Sequence, residues 1–442
     1  MKKKISHIIF IAFVLLLPVT VHADRVKVRL FSNNTISTIY VSFDLGEYNL
    51  YGDDRLLSEV LGEGKSVEIK PTGADVQISV DGYNYGSFHK ARLEATDTAC
   101  ILCLNPSGVK QRTYEGNLIV STLKSGSLLI INDVEFETYL AGVVQSEIYG
   151  NYPDIFRVQA IIARTWALRN INKHSNDGYN FCDHVHCQAY HNRCIRPDIM
   201  LGTMASSGET VVDKDGHLIE TPFHSNSGGQ TANSEDVWRN AVPYLRSVPD
   251  TFSYHMKQTD WTKTISQDKW LNYFQKTHRL DITNPDIKKE LLTFTQEERK
   301  SKICGVSLTR VRTDFQLKST FFNVEAANGN VIIHGHGYGH GVGLSQEGTI
   351  RMVGLGISYD SIIRHYYTGA FIHHDAATPR NYVENYVRQI EKIIEEDKLK
   401  QTQVRSKKDD WLGRLFRVRD REDREEVYDE KQESDSEWKY DW

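Results

Sequence analysis

From Arg25 to about Val143 the chain alternates apolar and polar positions in short runs. Val26-Lys27-Val28-Arg29-Leu30, Thr38-Ile39-Tyr40-Val41 and Val67-Glu68-Ile69 have the two-residue period of strands. Gly, Asn and Asp separate them, as turns between strands require. Ser127-Leu128-Leu129-Ile130-Ile131 is a continuous apolar run and reads as a buried strand. The period changes after Pro153. Ile155, Val158, Ile162 and Trp166 recur at helical spacing, and proline suits a first helical turn. Between Asn172 and Met200 the pattern gives way to His, Cys, Asn and Asp, which is loop chemistry.

Strands and polar loops resume up to Trp261, and a charged, helical insert follows to about Lys302. Strands return from Leu308 to Ile333 and end in a glycine-rich turn, Gly335 to Gly343. One helix is expected from about Gln346 and another near Tyr359 to Tyr367. Beyond His374, Asn381 to Lys400 places Tyr386, Ile390 and Ile394 on one helical face. The chain then becomes charge-rich, with Trp411 to Phe416 its one apolar patch, so residues 376–442 read as an appended helix and a disordered tail. The whole is an α+β fold, strand-rich and mixed, with helices flanking a cleft.

The ends and the charge narrow the setting. Lys2, Lys3 and Lys4 precede an apolar stretch from Ile8 to Val19, and Val21-His22-Ala23 offers small residues to a signal peptidase. Residues 1–23 are therefore expected to be a cleaved export signal, with the mature protein periplasmic or associated with the cell wall. A formal net charge of -5 leaves no basic footprint, which argues against nucleic acid as a partner. The 22 tyrosines suit sugar surfaces, although most tyrosines are ordinary core residues. Outside the cytoplasm, six cysteines point to disulfides or to a metal.

Four segments carry candidate chemistry. In Gly142-Val143-Val144-Gln145-Ser146-Glu147 an apolar run meets a carboxylate, and Tyr149, Tyr152 and Pro153 follow. Desolvation there would keep a proton available near neutral pH, as a glycosidic general acid needs; the plainer alternative is a helix-start carboxylate held by the dipole. His174, Cys182, His184, His186 and Cys187 could supply a tetrahedral zinc site. A Cys182–Cys187 or Cys187–Cys194 disulfide beside exposed histidines serves equally well. His334-Gly335-His336-Gly337-Tyr338-Gly339-His340-Gly341 suggests backbone close to a ligand, as a hydrogen-bonding turn or, less simply, a metal site. His224-Ser225-Asn226-Ser227-Gly228-Gly229-Gln230 suits hydroxylated ligands but contains no serine-hydrolase elbow.

The order of these segments resembles the stage II sporulation protein D family, also called the SpoIID/LytB domain, over about Gly116 to Thr368. The resemblance rests on Gly142–Glu147, Gln159–Leu168, His186–Tyr190, His224–Gly229, Ser234–Trp238, Gly337–Gln346 and His365-Tyr366-Tyr367. It implies a lytic transglycosylase acting on peptidoglycan glycan strands, preferring strands stripped of stem peptides, with Glu147 as the acid. It also implies zinc at His174, Cys182, His186 and Cys187, as some members bind it. Ser225, Gln230, Tyr338, His340 and Gln346 are the expected sugar-positioning residues. Some relatives are described as amidase enhancers, so a cell-wall amidase is a second expected partner. The sequence departs at Ile148-Tyr149, where members often have Met-Pro, and the loop that follows is one residue shorter. The expected layout is a signal at 1–23, a β-rich region at 24–115, the SpoIID-like domain at 116–375 with its insert at about 261–302, and the tail at 376–442.

Overall fold

The computed structural model describes residues 25–374. The expected export signal and C-terminal tail lie outside the described residues.

The alternating runs form two sheets. One has seven strands in the order Phe181–Cys182, Arg25–Leu30, Leu128–Glu135, Asn117–Thr122, Lys90–Ala95, Tyr48–Gly52, Arg55–Leu61. The other has six, in the order Arg112–Glu115, Ile101–Pro106, Ile39–Leu45, Ser66–Thr72, Asp75–Val80, Tyr83–Phe88. Val26, Val28 and Leu30 of the first sheet and Ile39, Val41 and Phe43 of the second turn into one shared core. That is the consequence of a two-residue period with one face buried. Strand Asn117–Thr122 pairs with Lys90–Ala95, so the 115/116 division falls within one continuous sheet system.

The run Tyr139-Leu140-Ala141-Gly142-Val143-Val144, read from the sequence as part of the β region, is helical. Helix α1 spans Phe136–Glu147 directly after strand Leu128–Glu135. Residues Phe136 to Val144 are all buried, and a helix apolar on every side has no periodicity to distinguish it from a buried strand. Helix α2, Pro153–Arg169, begins at the proline as expected. Helix α3 spans Pro197–Ala205.

Three cores meet on α2. Ala163 and Ala167 face the core shared by the two sheets. Phe156 and Ala160 pack with Val144 of α1 and Met200 and Met204 of α3. Val158, Ile161 and Ile162 pack with Val342, Leu344, Ile363 and Tyr366 from the C-terminal part.

The insert is larger than its charged helices suggest. Strands Asp260–Ser266, Asn330–His336 and Phe321–Ala327 form a three-stranded antiparallel sheet in that order. Helices Gln267–His278 and Pro285–Thr293 bury Trp270, Phe274 and Leu291 in a core that also holds Val311, Phe322 and Ile333. Residues on both sides of 302 thus share one core.

Candidate active site and metal-binding cluster

Glu147 is the last residue of α1, which removes the helix-start alternative. A carboxylate at a helix C-terminus faces the unpaired carbonyls and gains nothing from the dipole. Its Oε1 accepts the backbone N–H of Ala189 at 2.7 Å. Its Oε2 is screened from solvent and has no hydrogen-bond partner among the described residues, although the residue as a whole is only half-buried. Burial pushes the carboxyl up to about 7, against the smaller opposing effect of the Ala189 N–H.

The surrounding chain fixes this carboxyl. Gln346 Nε2 donates to the Glu147 carbonyl at 2.8 Å. Gln145 Oε1 accepts from Ile195 N at 2.8 Å, and its Nε2 donates to Arg193 O at 3.1 Å. Ser146 Oγ accepts from His191 N at 3.2 Å. Residues 189–196 are thereby laid along α1. The approach depends on Gly142, where a Cβ would come within 2.5 Å of the Tyr190 ring and 2.8 Å of Asn192 O.

Tyr149 is 54% exposed, yet its hydroxyl donates to Glu347 Oε1 at 2.7 Å. Glu347 is fully buried and also accepts from Asn226 Nδ2 at 2.7 Å and Gln258 N at 3.0 Å. Glu347 was not singled out from sequence, and Asn226 appeared only as one member of the 224–230 segment. The only available signal was that Glu347 directly follows Gln346.

The five expected sugar-positioning residues lie on two turns joined by parallel pairing of Phe223–His224 with Leu344–Ser345 and by the Asn226–Tyr338 bridge. Their side chains are employed differently. Gln346 is buried and holds Glu147. The Ser225 carbonyl accepts from Glu347 N at 3.0 Å. Gln230 accepts from Arg299 N at 3.0 Å. The Tyr338 ring lies 5.6 Å from Lys318 Nζ. His340 Nδ1 accepts from Val342 N at 3.1 Å, and its ring lies 5.2 Å from Trp238. Burial and the Arg312 charge push His340 down to about 4, so it is neutral at neutral pH. The other histidines of that turn diverge. His336 pairs with Asp260 at 2.7 Å and His334 with Glu325 at 3.5 Å, so no shared metal site forms there.

The ligand atoms of His174, Cys182, His186 and Cys187 all lie within 4.8 Å of one another. Cys187 Sγ is 3.4 Å from His174 Nε2, and Cys182 Sγ is 3.6 Å from His186 Nδ1. All six cysteines are free thiols, and Cys194 Sγ is turned to the Arg196 carbonyl at 3.4 Å. The Cys187 thiol and His186 pull the Cys182 thiol down, toward the thiolate a metal requires. Two sulfurs and two imidazoles in this space fit a tetrahedral Zn²⁺. His184 is outside the group.

Residues 124–211 match the family model described as stage II sporulation protein. The match covers Glu147 and the Cys/His cluster; Ser225, Gln230 and the 338–346 turn lie beyond it. Among curated relatives, stage II sporulation protein D of Bacillus amyloliquefaciens is 28% identical over 55% of this chain and 75% of its own length. An uncharacterized protein of Brachyspira hyodysenteriae is 25% identical over 59% of this chain and 72% of its own. The amidase enhancer of Bacillus subtilis is 24% identical over 52% of this chain but only 39% of its own. By its matched segment and these relatives, the chain is similar over about half its length to the stage II sporulation protein D family.

Proposed function

We propose that this protein is an exported peptidoglycan lytic transglycosylase that cuts glycan strands freed of stem peptides, with Glu147 as its general acid and base. The observation that carries this reading is the Glu147 carboxyl, screened on Oε2 and raised to about 7. Such a group is protonated often enough at neutral pH to donate and ionised often enough to accept.

In the proposed reaction Glu147 gives its proton to the oxygen between N-acetylmuramic acid and N-acetylglucosamine as that bond breaks. The C6 hydroxyl of the same muramic ring attacks its anomeric carbon. The hydroxyl proton passes to the Glu147 carboxylate, which restores the acid and leaves a 1,6-anhydro end. No water is activated, so the second carboxylate of ordinary glycoside hydrolysis is not required. Glu347, the other buried carboxylate of this corner, is already committed to Tyr149, Asn226 and Gln258. His174, Cys182, His186 and Cys187 would hold Zn²⁺, whose contribution is to order the loop that ends at Ala189. That loop presents the N–H that orients the Glu147 carboxyl.

Mass spectrometry of products from stem-free glycan strands tests the assignment. The wild type should release 1,6-anhydro ends, and Glu147→Gln should fold and release none. Digestion by Glu147→Gln at the wild-type rate would remove Glu147 from the chemistry. A second reading draws on the relative named an amidase enhancer: a non-catalytic wall-binding module that stimulates an amidase. Glycan binding by the wild type without any cleaved product, even at high protein concentration, would favour it.

A further inference from the structure

One group of charges has no role in the chemistry above. Arg299, Arg312 and Lys318, all from the insert side, gather around the turn that carries Tyr338 and His340. The Arg299 guanidinium lies against Gly341, where a Cβ would stand 3.0 Å from its central carbon. Its donors go to neutral acceptors: Gln230 O at 2.6 Å, Ser227 O at 2.6 Å and Thr320 Oγ1 at 3.2 Å. Arg312 donates through Nε to the Lys318 carbonyl at 3.3 Å. Lys318 Nζ reaches Gln258 Oε1 at 3.3 Å and sits over the Tyr338 ring. Among the described residues no carboxylate pairs with any of the three.

Crowded cations without a counter-charge cost stability, and that cost is visible in their neighbours. Burial and the Arg312 charge push Arg299 down to about 9, still protonated at neutral pH. Burial, His340 and these arginines hold His224 far below its usual range, and its buried Nε2 has no partner among the described residues. An anion arriving here would relieve the repulsion and find donors in place. On the same turn, the His340 ring lies 5.2 Å from Trp238, which is 44% exposed. An exposed aromatic face and unpaired cations around one turn suit a sugar that bears an acid.

Resting on the transglycosylase reading, we propose that Arg312 and Lys318, backed by Arg299, bind the free lactyl carboxylate of an N-acetylmuramic acid residue whose ring lies on Trp238. The lactyl group ends in a carboxylate only after the stem peptide is removed; with the peptide present it is an amide. The insert would then be the element that reads whether a strand is stripped. The same turn leads to Gln346, which donates to the Glu147 carbonyl, so at most about 20 Å of chain separates His340 from a residue that touches Glu147.

The test uses full-length Glu147→Gln, which cannot cut, and two probes: a stem-free glycan tetrasaccharide and the same tetrasaccharide with its lactyl carboxylates converted to methylamides. Calorimetry should show the carboxylate form binding about tenfold or more tightly, with the difference shrinking as salt rises. Adding Arg312→Gln or Lys318→Gln should remove most of that difference and leave the methylamide affinity unchanged; Arg312→Lys should retain part of it. Equal affinity for the two probes, or Arg312→Gln weakening both alike, overturns the proposal. So does inorganic phosphate displacing the carboxylate probe at lower concentration than the sugar acid itself, which would mark a phosphate site. Because binding is read without turnover, a wild type that makes no anhydro ends would sink the transglycosylase reading and leave this measurement interpretable.

Discussion

A carboxyl that keeps its proton up to pH 7 in the fold and loses it near 4.5 in the unfolded chain couples stability to pH. Between those values the folded state binds more protons than the unfolded one, so stability falls as pH rises through the window. The contribution is fully present below about 4.5 and lost above about 7. Glu147→Gln removes this penalty. The unfolding free energy from denaturant titration at pH 8 should rise by up to about 3 kcal/mol, and by nothing measurable at pH 4. A variant that is less stable at pH 8 than the wild type would mean the carboxyl is well solvated after all. Glu115, also buried and raised to about 7, leaves a residual slope of the same sign in the variant. The apolar run ending in a carboxylate raised the prospect of desolvation at Glu147, but composition alone favoured a helix-start carboxylate, and only the resemblance to a known family singled the residue out. What the sequence did not disclose is which groups enclose it. Tyr149, expected as part of its wall, is tied to Glu347, and the orienting donor is an Ala189 N–H that no side-chain pattern reports.

Position 147 is set by how α1, α2 and α3 lock together. Arg164 of α2 is 1% exposed and donates to both carboxyl oxygens of Glu137 on α1, at 2.8 and 2.6 Å. It also reaches Thr203 O at the end of α3 and Ser206 Oγ just past it, both at 3.2 Å. A charge taken out of water needs this many partners, and removing one partner leaves the other stranded. Glu137→Ala or Arg164→Ala should therefore cost about 3–5 kcal/mol by urea denaturation. Replacing both by apolar residues of similar volume should recover most of that loss. If each single change costs less than about 1 kcal/mol, the pair is not the clamp described here. Helix α2 could be read in advance because Ile155, Val158, Ile162 and Trp166 declare its period. Helix α1 could not, since burial on all sides erases the polar face that would mark it. The Arg164–Glu137 pair was equally silent, because partners brought together by helix packing leave no trace in local spacing.

At the scale of the molecule, the Cys/His cluster ties the two-sheet body to Glu147. Phe181–Cys182 pairs in parallel with strand Arg25–Leu30, and Asp183 next to it accepts from Phe31 N at 2.7 Å and Arg112 Nη1 at 2.7 Å. From there the chain passes through His186 and Cys187 to Ala189, whose N–H holds Glu147. Asp183 anchors one end of the 184–188 stretch and Gln188 the other, taking the Tyr139 hydroxyl at 3.2 Å and donating to the Ala163 carbonyl at 3.3 Å, so whatever the four ligands hold would add order chiefly between them. The same spacing that made a disulfide an equal expectation from sequence brings two thiols and two imidazoles into one small space, the arrangement a bound metal would need. Purified protein should contain about one zinc per chain, and Cys187→Ser should lower that content. Removing the metal with a strong chelator should lower the melting temperature by several degrees and expose Cys182 and Cys187 to a thiol reagent. Both effects should reverse on adding zinc. If the chelated and untreated proteins melt together and their thiols react at the same rate, the cluster is a set of packed thiols and imidazoles. The loop before Ala189 must then draw its order from the helix contacts alone.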